Sequence, residues 1–357
     1  MSSAERAHVL LLGTGVVGRA FLEILADPGV RAAVALAGVA NRRGVLLDRD
    51  GEPSPGAIEE LLARPTREPP WQVGDAELDA LAARPNPVLV DATAADDLDD
   101  LYARALARGV HVVTANKKPL VCPWPRRERL FEATASRGAR LRYEATVGAG
   151  LPVIETLKDL VRTGDRVRRI ECVLSGTLAF LSNALAEGEP LSRAVAAARD
   201  RGYTEPDPRE DLTGTDVARK AVILARELGA SLELEDVTLE PFVPVGSLGG
   251  GPETLARDLS RSDADFAARA RRLAARGEKL VYLAQIESDG GRVRASAGPV
   301  AVPKDHPAAL VRGSSALVAF TTARYARAPL VVQGSGAGGP VTAAAVLADV
   351  LKAVGRA

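Results

Sequence analysis

An aspartate and a lysine four residues apart are placed to do acid–base chemistry near the middle of the chain. They lie in "DLTGTDVARK" (211–220), directly before the apolar run "AVILARELGA". If a helix begins near Thr215, Asp216 and Lys220 share one face at the edge of an apolar stripe, and Gly229 ends the helix. The alternative is an ordinary surface ion pair, worth about 0.3–0.5 kcal/mol.

The cation of this pair is a lysine in a chain that prefers arginine. Seven of the 46 basic residues are lysines. Burial can lower the pKa of a lysine and let it pass a proton, whereas arginine stays charged. Lys220 is therefore a candidate proton donor, while four other lysines are expected at ordinary surface positions: Lys158, Lys279, Lys304 and Lys352.

An acidic loop precedes this helix. "GYTEPDPREDLTGTD" (202–216) contains five carboxylates around two prolines that stiffen the chain. Glu205 and Asp211 could hold a substrate ammonium group and tune Lys220. A solvent-facing acidic loop is the equally weighted alternative.

Glycine spacing near the start of the chain predicts a dinucleotide site. "GTGVVG" follows an apolar strand and precedes a helix, the context in which the glycines allow a tight turn, backbone approach to a pyrophosphate and close helix packing. The alternative is a structural glycine turn. We expect the whole motif to bind the cofactor: Gly13, Thr14, Gly15, Val16, Val17 and Gly18.

The end of the second predicted strand bears on the choice between NADP and NAD. An acidic residue there would bond the ribose 2′-hydroxyl of NAD, but this chain has "ANRRG". Asn41, Arg42 and Arg43 suit a 2′-phosphate. The prediction is NADP, with NAD possible if the arginines are solvated loop charges.

Polar residues also follow the next two predicted strands. Thr93 lies in "DATAADD", and Thr114 and Lys117 lie in "TANKKPL". Ligands of open α/β sheets bind at the carboxyl ends of strands, so all three are candidate cofactor contacts, and Lys117 is expected near the nicotinamide. Helix capping is the alternative for Thr93.

Two glycine loops lie further along the chain. "YEATVGAGLP" (143–152) could point backbone carbonyls at a monovalent cation, or it could be a hinge between domains. "VVQGSGAGGPVTAA" (331–344) could close over the nicotinamide or join domains.

The pattern of elements predicts two domains. Strands alternating with helices in the first part indicate an α/β, doubly wound parallel sheet. We assign it residues 1–140, completed by 325–357, with a proline-rich insertion at 44–87. Residues 141–324 read as α+β, with "KLVYLAQIES" and "RVRASAGPVAV" joined by the hairpin signal "DGG".

Composition restricts the function class. The 357 residues are 46% hydrophobic and 26% charged with zero net charge, and no basic tract points to nucleic acid or an anionic membrane. No apolar run is long enough for a membrane span and no signal peptide is recognisable, so a cytoplasmic location is expected. Cys122 and Cys172 lack metal-ligand or redox-pair spacing and are expected to be reduced and structural.

Taken together, "GTGVVG", "TANKKPL", "YEATVGAGLPVI", "GYTEPDPREDLTGTDVARKAVILARELG" and "GAGGPVTAAAVLAD" resemble the homoserine dehydrogenase family over roughly residues 9–350. The resemblance implies a Rossmann-type domain and a second catalytic and dimerisation domain. It also implies interconversion of L-aspartate 4-semialdehyde and L-homoserine with a nicotinamide cofactor, and a homodimer formed through the second domain's sheet.

The resemblance also assigns roles to residues. Lys220 matches the general acid, with Asp216 beside it, and Lys117 matches a lysine between cofactor and substrate. Glu205 matches the carboxylate that binds the substrate ammonium, with Asp211 nearby. Gly336 matches a glycine that touches the cofactor. The implied sodium or potassium ligands are the backbone carbonyls of Glu144, Val147, Ala149 and Leu151.

Two other functions remain possible from the sequence: another amino-acid or semialdehyde dehydrogenase, and a non-catalytic NADP-sensing protein. A phosphorylating semialdehyde dehydrogenase would need an activated cysteine, which the contexts of Cys122 and Cys172 do not provide. The sensor would need "GTGVVG" but not the set Glu205, Asp211, Asp216 and Lys220. No strong threonine feedback is expected, since the sequence ends after the final predicted helix.

Overall fold

The chain is divided into two compact units. The computed structural model describes residues 6–48, 51–66, 73–244, 246, 249 and 252–356. Unit 1 comprises Met1–Gly150 and Gly338–Ala357, and unit 2 comprises Leu151–Ala337. Each unit is built on its own six-stranded sheet.

The sheet of unit 1 has the strand order β3-β2-β1-β4-β5-β6. Its pairings are parallel except for the antiparallel pair β2–β3. The order changes direction between β1 and β4, which is the position where doubly wound sheets bind ligands. The strands are β1 (Ala7–Leu12), β2 (Val34–Asn41), β3 (Gly44–Leu47), β4 (Pro87–Asp91), β5 (His111–Thr114) and β6 (Leu141–Arg142). The predicted fold class is confirmed.

Helices cover both faces of this sheet because its central strands are apolar on both sides. In β1, Val9 and Leu11 pack with Phe21 and Val346 on one face, whereas Leu10 packs with residues of the opposite layer. The helices of unit 1 are α1 (Val16–Ile24), α2 (Pro28–Arg31), α3 (Pro55–Ala63), α4 (Asp75–Ala82), α5 (Asp99–Ala107), α6 (Trp124–Arg137) and, at the C-terminal end, α15 (Gly339–Ala353). The final helix therefore returns to unit 1, as predicted.

The sheet of unit 2 has the order β12-β11-β7-β9-β10-β8. It is antiparallel except where β8 joins β10. The turn predicted from "DGG" is the β9–β10 hairpin, in which Gly290 and Gly291 have φ of +55° and +91°. The strands are β7 (Val167–Val173), β8 (Thr238–Leu239), β9 (Glu278–Asp289), β10 (Arg292–Pro303), β11 (Ser315–Thr322) and β12 (Leu330–Ser335).

The helix that carries the predicted proton donor begins and ends where its sequence indicates. Helix α11 (Thr215–Glu227) follows Gly214, whose φ is +74°, and Gly229 with φ of +84° comes directly after its C-cap. Val217 and Leu224 lie on its buried side. The other helices of unit 2 are α7 (Ile154–Arg162), α8 (Gly176–Ala186), α9 (Leu191–Asp200), α10 (Pro208–Leu212), α12 (Pro252–Ser260), α13 (Asp263–Ala275) and α14 (Pro307–Leu310).

The structure divides the chain at 150/151 and 337/338, rather than at the predicted 140/141 and 324/325. Strand β6 begins at Leu141 and pairs with β5, so the first sheet continues past residue 140. Strand β12 pairs with β11 and belongs to the second sheet. The sequence missed β12 because residues 330–335 lie at a sheet edge and are only partly buried.

Cys122 and Cys172 are free and buried. Burial raises the pKa of the Cys172 thiol far above its usual value, which disfavours the reactive thiolate. None of the helices in the described ranges is long and apolar enough to cross a membrane.

Candidate active site

The glycine loop between β1 and α1 has the geometry of a phosphate-binding turn. Gly13 has φ of +90°, and a Cβ there would lie 2.8 Å from Thr93 Cγ2. A Cβ on Gly18 would lie 2.1 Å from the Gly13 carbonyl oxygen, whereas one on Gly15 would meet no atom within 4 Å. The first and third glycines are thus required by packing, and the second leaves open space.

The same loop leaves the start of α1 open to a ligand. Gly15 is the N-cap and provides no side-chain cap, so the first N–H groups of the helix are available to an anion. Thr14, Val16 and Val17 complete the loop, and the Val16 side chain is 76% exposed. These observations fit a bound pyrophosphate.

The residues after β2 are tied to this loop by hydrogen bonds. Asn41 Nδ2 donates to Thr14 Oγ1 at 3.0 Å, and its Oδ1 accepts from the Arg43 backbone N–H at 2.7 Å. Arg42 is exposed, and Arg43 is half-buried. The Nε of Arg43 is buried and finds no hydrogen-bond partner within the described part of the chain. A phosphate oxygen would satisfy it, since a guanidinium presents a fork of donors suited to phosphate.

A buried polar network closes the carboxyl ends of β4 and β5. The Tyr102 hydroxyl lies 2.5 Å from Asp91 Oδ2 and 2.8 Å from Thr114 Oγ1. Asn116 Nδ2 donates to Asp91 Oδ2 at 3.1 Å, and the Thr93 N–H donates to Asp91 Oδ1 at 2.7 Å. Burial raises the pKa of the Asp91 carboxyl. The sequence analysis missed Asp91 and Asn116, whose only local signal is a polar residue at or just after a strand end, and Tyr102, which lies within α5.

The three cofactor contacts predicted at the strand ends lie in different surroundings. Thr114 is fully buried and its hydroxyl is engaged with Tyr102 and Asn116. Thr93 lies in the loop facing Gly13 and its Oγ1 accepts from Ala95 N–H. Lys117 is half-buried and directly precedes a 3₁₀ turn, Lys118–Leu120.

Lys220 is held by two acceptors in unit 2. Its Nζ lies 2.8 Å from Asp216 Oδ2 and donates to the Leu174 carbonyl, directly after β7, at 2.7 Å. Lys220 is only 9% exposed, whereas the Asp216 side chain is 46% exposed. An ammonium has three hydrogens, so two can be directed at these acceptors while the third remains for a substrate oxygen.

The start of α11 is fixed by a contact that spans 68 residues of sequence. A Cβ on Gly214 would lie 1.8 Å from the Tyr282 hydroxyl oxygen, and that hydroxyl donates to the Glu240 carbonyl at 2.8 Å. Only glycine satisfies both the positive φ and the close approach. Gly214 therefore sets the position from which Asp216 and Lys220 project.

The acidic loop is anchored by Asp211. Its Oδ2 accepts the Glu205 backbone N–H at 2.8 Å, and its Oδ1 lies 2.9 Å from Thr177 Oγ1. Burial raises the pKa of the Asp211 carboxyl, and the nearby Asp216 and Glu210 act in the same direction. The Glu205 side chain is exposed. The sequence analysis missed Thr177 because its partners lie 26 and 34 residues away.

A second buried lysine corrects one expectation. Lys279 was expected at the surface, but it is 9% exposed and its Nζ donates to Asn183 Oδ1 at 2.7 Å and to the Ala309 carbonyl at 3.0 Å. Burial, with Arg312 nearby, lowers the pKa of Lys279 to about 8. Lys279 is buried because it lies in the apolar strand β9. The number of lysines in the sequence could not indicate this.

The loop proposed to hold a cation is tightly turned. Gly148 has φ of +82° and the next residue, Ala149, has φ of +54°. Glu144 and Val147 are buried, and the Glu144 N–H donates to Asp349 Oδ2 at 2.8 Å. Leu151 lies three residues before α7, and its carbonyl accepts from Val153 N–H. No group of three His, Cys, Asp or Glu side chains suited to a metal occurs in the described ranges.

Gly336, predicted to touch the cofactor, lies directly after β12. A Cβ there would lie 2.1 Å from the Ala316 Cβ. Packing against β11 therefore explains why this position is a glycine, and the predicted cofactor contact stays a prediction.

Comparison with known proteins gives a consistent result for both units. The family model described as homoserine dehydrogenase matches residues 152–351. The model described as the NAD-binding domain of homoserine dehydrogenase matches residues 13–144.

The chain is also similar to two whole proteins over part of their length. The chain is 38% identical to bifunctional aspartokinase/homoserine dehydrogenase 1 of Zea mays, over 96% of this chain and 38% of that protein. It is 40% identical to a homoserine dehydrogenase of Paracoccidioides brasiliensis, over 75% of this chain and 74% of that protein. The chain thus spans about a third of the length of the bifunctional relatives and about three quarters of the fungal one.

A solved structure supports the same comparison. A hyperthermophilic archaeal homoserine dehydrogenase mutant in complex with NADPH superposes with a TM-score of 0.72 at 25% identity, covering 98% of this chain and 97% of that one.

Proposed function

Since the chain belongs to the homoserine dehydrogenase family, we propose that it reduces L-aspartate 4-semialdehyde to L-homoserine, reversibly, with NADPH as the hydride donor. The observation that carries the proposal is Lys220, a buried ammonium held by Asp216 and the Leu174 carbonyl. Such a group can donate a proton to an aldehyde oxygen.

The proton and the hydride go to different atoms of the substrate. When bound, the nicotinamide supplies the hydride to the aldehyde carbon. Lys220 gives its Nζ proton to the aldehyde oxygen, which becomes the homoserine hydroxyl. In the oxidation direction the neutral amine takes the hydroxyl proton back. Asp216 keeps the amine oriented through both steps, and Lys117 is proposed to lie between cofactor and substrate.

The substrate's α-ammonium group is proposed to bind at the acidic loop. Glu205 has an exposed carboxylate, and its backbone is held by Asp211. A charge-assisted hydrogen bond from an ammonium to this carboxylate would fix the substrate end remote from the reacting carbon.

Unit 1 matches an NAD-binding domain, and the finer preference for NADP is a proposal. Its support is the "NRR" segment after β2, where the Arg43 Nε is buried without a partner among the described residues. The pyrophosphate would lie at the start of α1 beside Gly15, in the turn that the packing of Gly13 and Gly18 fixes. Arg42 and Arg43 would bind the 2′-phosphate, with Asn41 holding the turn.

A monovalent cation, sodium or potassium, is proposed at the carbonyls of Glu144, Val147, Ala149 and Leu151. The supporting feature is the left-handed backbone of Ala149, because a non-glycine residue in that region stores strain that a bound ion could offset. Activity in Na⁺ or K⁺ is expected to exceed activity in tetramethylammonium at equal ionic strength. Equal rates would remove the cation from the proposal.

A homodimer through the sheet of unit 2 is also proposed. Besides the resemblance, its support is the edge strand β12, on which Val331 is 39% exposed, since exposed edge strands are prone to pair with other chains. Light scattering on the purified protein distinguishes one copy from two. The cytoplasmic location stays a prediction from the sequence.

The deciding experiment measures NADPH formation from L-homoserine and NADP⁺ by the purified protein. Turnover supports the proposal. If NADP(H) binds without turnover, the non-catalytic alternative is favoured. Turnover with a different hydroxy amino acid, and not with homoserine, would favour another dehydrogenase.

A further inference from the structure

Thr177 faces two hydrogen-bond acceptors with a single hydroxyl. It lies in the first turn of α8 and is 4% exposed. Its Oγ1 is 2.5 Å from the Tyr203 carbonyl oxygen and 2.9 Å from Asp211 Oδ1. A carbonyl oxygen can only accept, and so can an ionised carboxylate.

One hydrogen can be shared between two acceptors only in a weaker, bifurcated bond, so it does not satisfy both of these short contacts at full strength. The shorter contact, to the Tyr203 carbonyl, requires the Thr177 hydrogen because a carbonyl oxygen has no hydrogen to donate. The contact to Asp211 must then take its hydrogen from the carboxyl. The arrangement becomes a chain in which Asp211 Oδ1–H donates to Thr177 Oγ1, and Thr177 donates to Tyr203.

The surroundings of Asp211 favour the neutral carboxyl. Burial disfavours its charge, and the nearby acidic residues Asp216 and Glu210 raise its pKa further. Nearby cations are already paired: Lys220 with Asp216, and Arg209 with Asp207. The hydrogen bond from the Glu205 N–H to Oδ2 opposes the effect of burial, and so does the Thr177 contact when its hydroxyl donates to Oδ1, yet the pKa of Asp211 stays raised. The titratable groups that act on the carboxyl are Asp216 and Glu210, and Lys220 is paired with Asp216.

We propose that Asp211 carries a proton in the substrate-free site and, together with Thr177, acts as a positioning residue for Glu205. The substrate ammonium then binds to one ionised carboxylate, that of Glu205. Because Asp211 is neutral, it adds no negative charge to that of Asp216 beside Lys220. The catalytic consequence rests on the proposed homoserine dehydrogenase activity, whereas the protonation of Asp211 does not.

The first test compares the stability of the intact protein and Asp211→Asn from about pH 4 to pH 9. An asparagine keeps the shape and the donor but does not titrate. If the folded protein holds the proton, the intact protein loses stability relative to the variant as pH rises above the unfolded carboxyl pKa of about 3.9. The melting-temperature difference, variant minus intact protein, is expected to grow with pH. A difference that is constant or shrinks with pH overturns the proposal.

The second test uses Thr177→Val, with Thr177→Ser as its matched control. Valine removes the hydroxyl at constant volume, so Asp211 loses its partner at Oδ1, and the carboxyl that holds the Glu205 backbone N–H is less firmly fixed. A loss of about tenfold in kcat/KM for homoserine is expected, mainly through KM. Serine is expected to restore most of it. Equal losses in both variants, or none in either, contradict the positioning role.

A third comparison separates a neutral from a charged Asp211. Asp211→Asn is expected to retain about tenfold more kcat/KM than Asp211→Ala, since it can donate to Thr177 as the protonated carboxyl does. If Asp211→Asn and Asp211→Ala raise the homoserine KM equally, Asp211 makes a charged contact with the ammonium, and the proposal is overturned. If the intact protein does not turn over homoserine, the proposed function fails, and the stability comparison still decides the proton.

Discussion

Replacing Lys220 by methionine separates catalysis from folding. The change removes the Nζ that donates to Leu174 and pairs with Asp216. The ion pair contributes little to stability, about 0.3–0.5 kcal/mol, because Asp216 is half-exposed. Leaving the Leu174 carbonyl without its donor costs about 1–3 kcal/mol. If Lys220 is the proton donor, kcat falls by about 10²- to 10⁴-fold, a barrier increase of about 3–5 kcal/mol.

The chain provides a matched control in Lys279→Met. Lys279 is as buried as Lys220 and also donates to two acceptors, Asn183 and the Ala309 carbonyl. Its loss leaves buried acceptors unsatisfied at a similar cost of about 1–3 kcal/mol. Both variants are therefore expected to melt at similarly lowered temperatures. Only Lys220→Met is expected to lose turnover.

Lys220→Arg tests proton transfer apart from charge. Arginine can keep a salt bridge to Asp216, but its pKa is too high for it to exchange a proton. It is expected to lose kcat nearly as much as the methionine variant.

The assay is steady-state kinetics in both directions, with NADPH affinity measured by fluorescence and melting temperature by calorimetry. Unchanged NADPH affinity is expected for all three variants. Equal loss of kcat in Lys279→Met and Lys220→Met, or loss of NADPH binding with Lys220, would refute the role assigned to Lys220.

Three further predictions concern the cofactor and pH. Gly15→Val is expected to keep the melting temperature, since a Cβ at this position meets no atom within 4 Å. The NADP⁺ KM is expected to rise at least ~10-fold, because the side chain occupies the pyrophosphate space. An unchanged KM would count against the site. Arg43→Ala should raise the NADP⁺ KM by ~10-fold or more and leave the NAD⁺ KM nearly unchanged, so equal changes in both would remove the 2′-phosphate contact. Desolvation would raise the pKa of Asp165, but hydrogen bonds from Thr322, Arg324 and Arg166 outweigh it and lower that pKa. The contribution of Asp165 to folding stability is therefore present above the unfolded pKa of about 3.9 and is lost as pH falls. Asp165→Asn should therefore destabilise at neutral pH and converge with the intact protein in acid, and a melting-temperature gap independent of pH would contradict this.

The parts of the fold that the sequence predicted depend on local signals. Helix α11 was predicted with both ends because an apolar stripe of helical period follows Thr215 and Gly229 comes after it. The glycine loop was predicted because strand, "GTGVVG" and helix follow one another directly. Each of these signals lies within about 15 residues of sequence, the range over which periodicity is informative.

Contacts between distant residues were missed for the opposite reason. Thr177 reaches Asp211 across 34 residues, and Asn116 reaches Asp91 across 25. Neither spacing has a periodicity that a single sequence can reveal. Strand β12 was missed, and residues 330–335 were placed in the first domain, because its pairing with β11 depends on strand order and not on its own composition.

Comparing the two buried lysines shows which sequence feature distinguishes the candidate proton donor. The scarcity of lysine does not by itself distinguish Lys220 from Lys279, which was expected at the surface, and both are 9% exposed. What differs is the partner: Lys220 has a carboxylate one helical turn away, whereas Lys279 donates to an amide oxygen and a backbone carbonyl. The ion pair with Asp216 fixes the direction of the Lys220 Nζ at the start of the helix. The Lys279 Nζ has no carboxylate in its pair of acceptors, and burial, with Arg312 nearby, lowers the pKa of Lys279 to about 8. The four-residue spacing from Asp216, rather than residue type, is therefore the feature that singles out Lys220 as an acid.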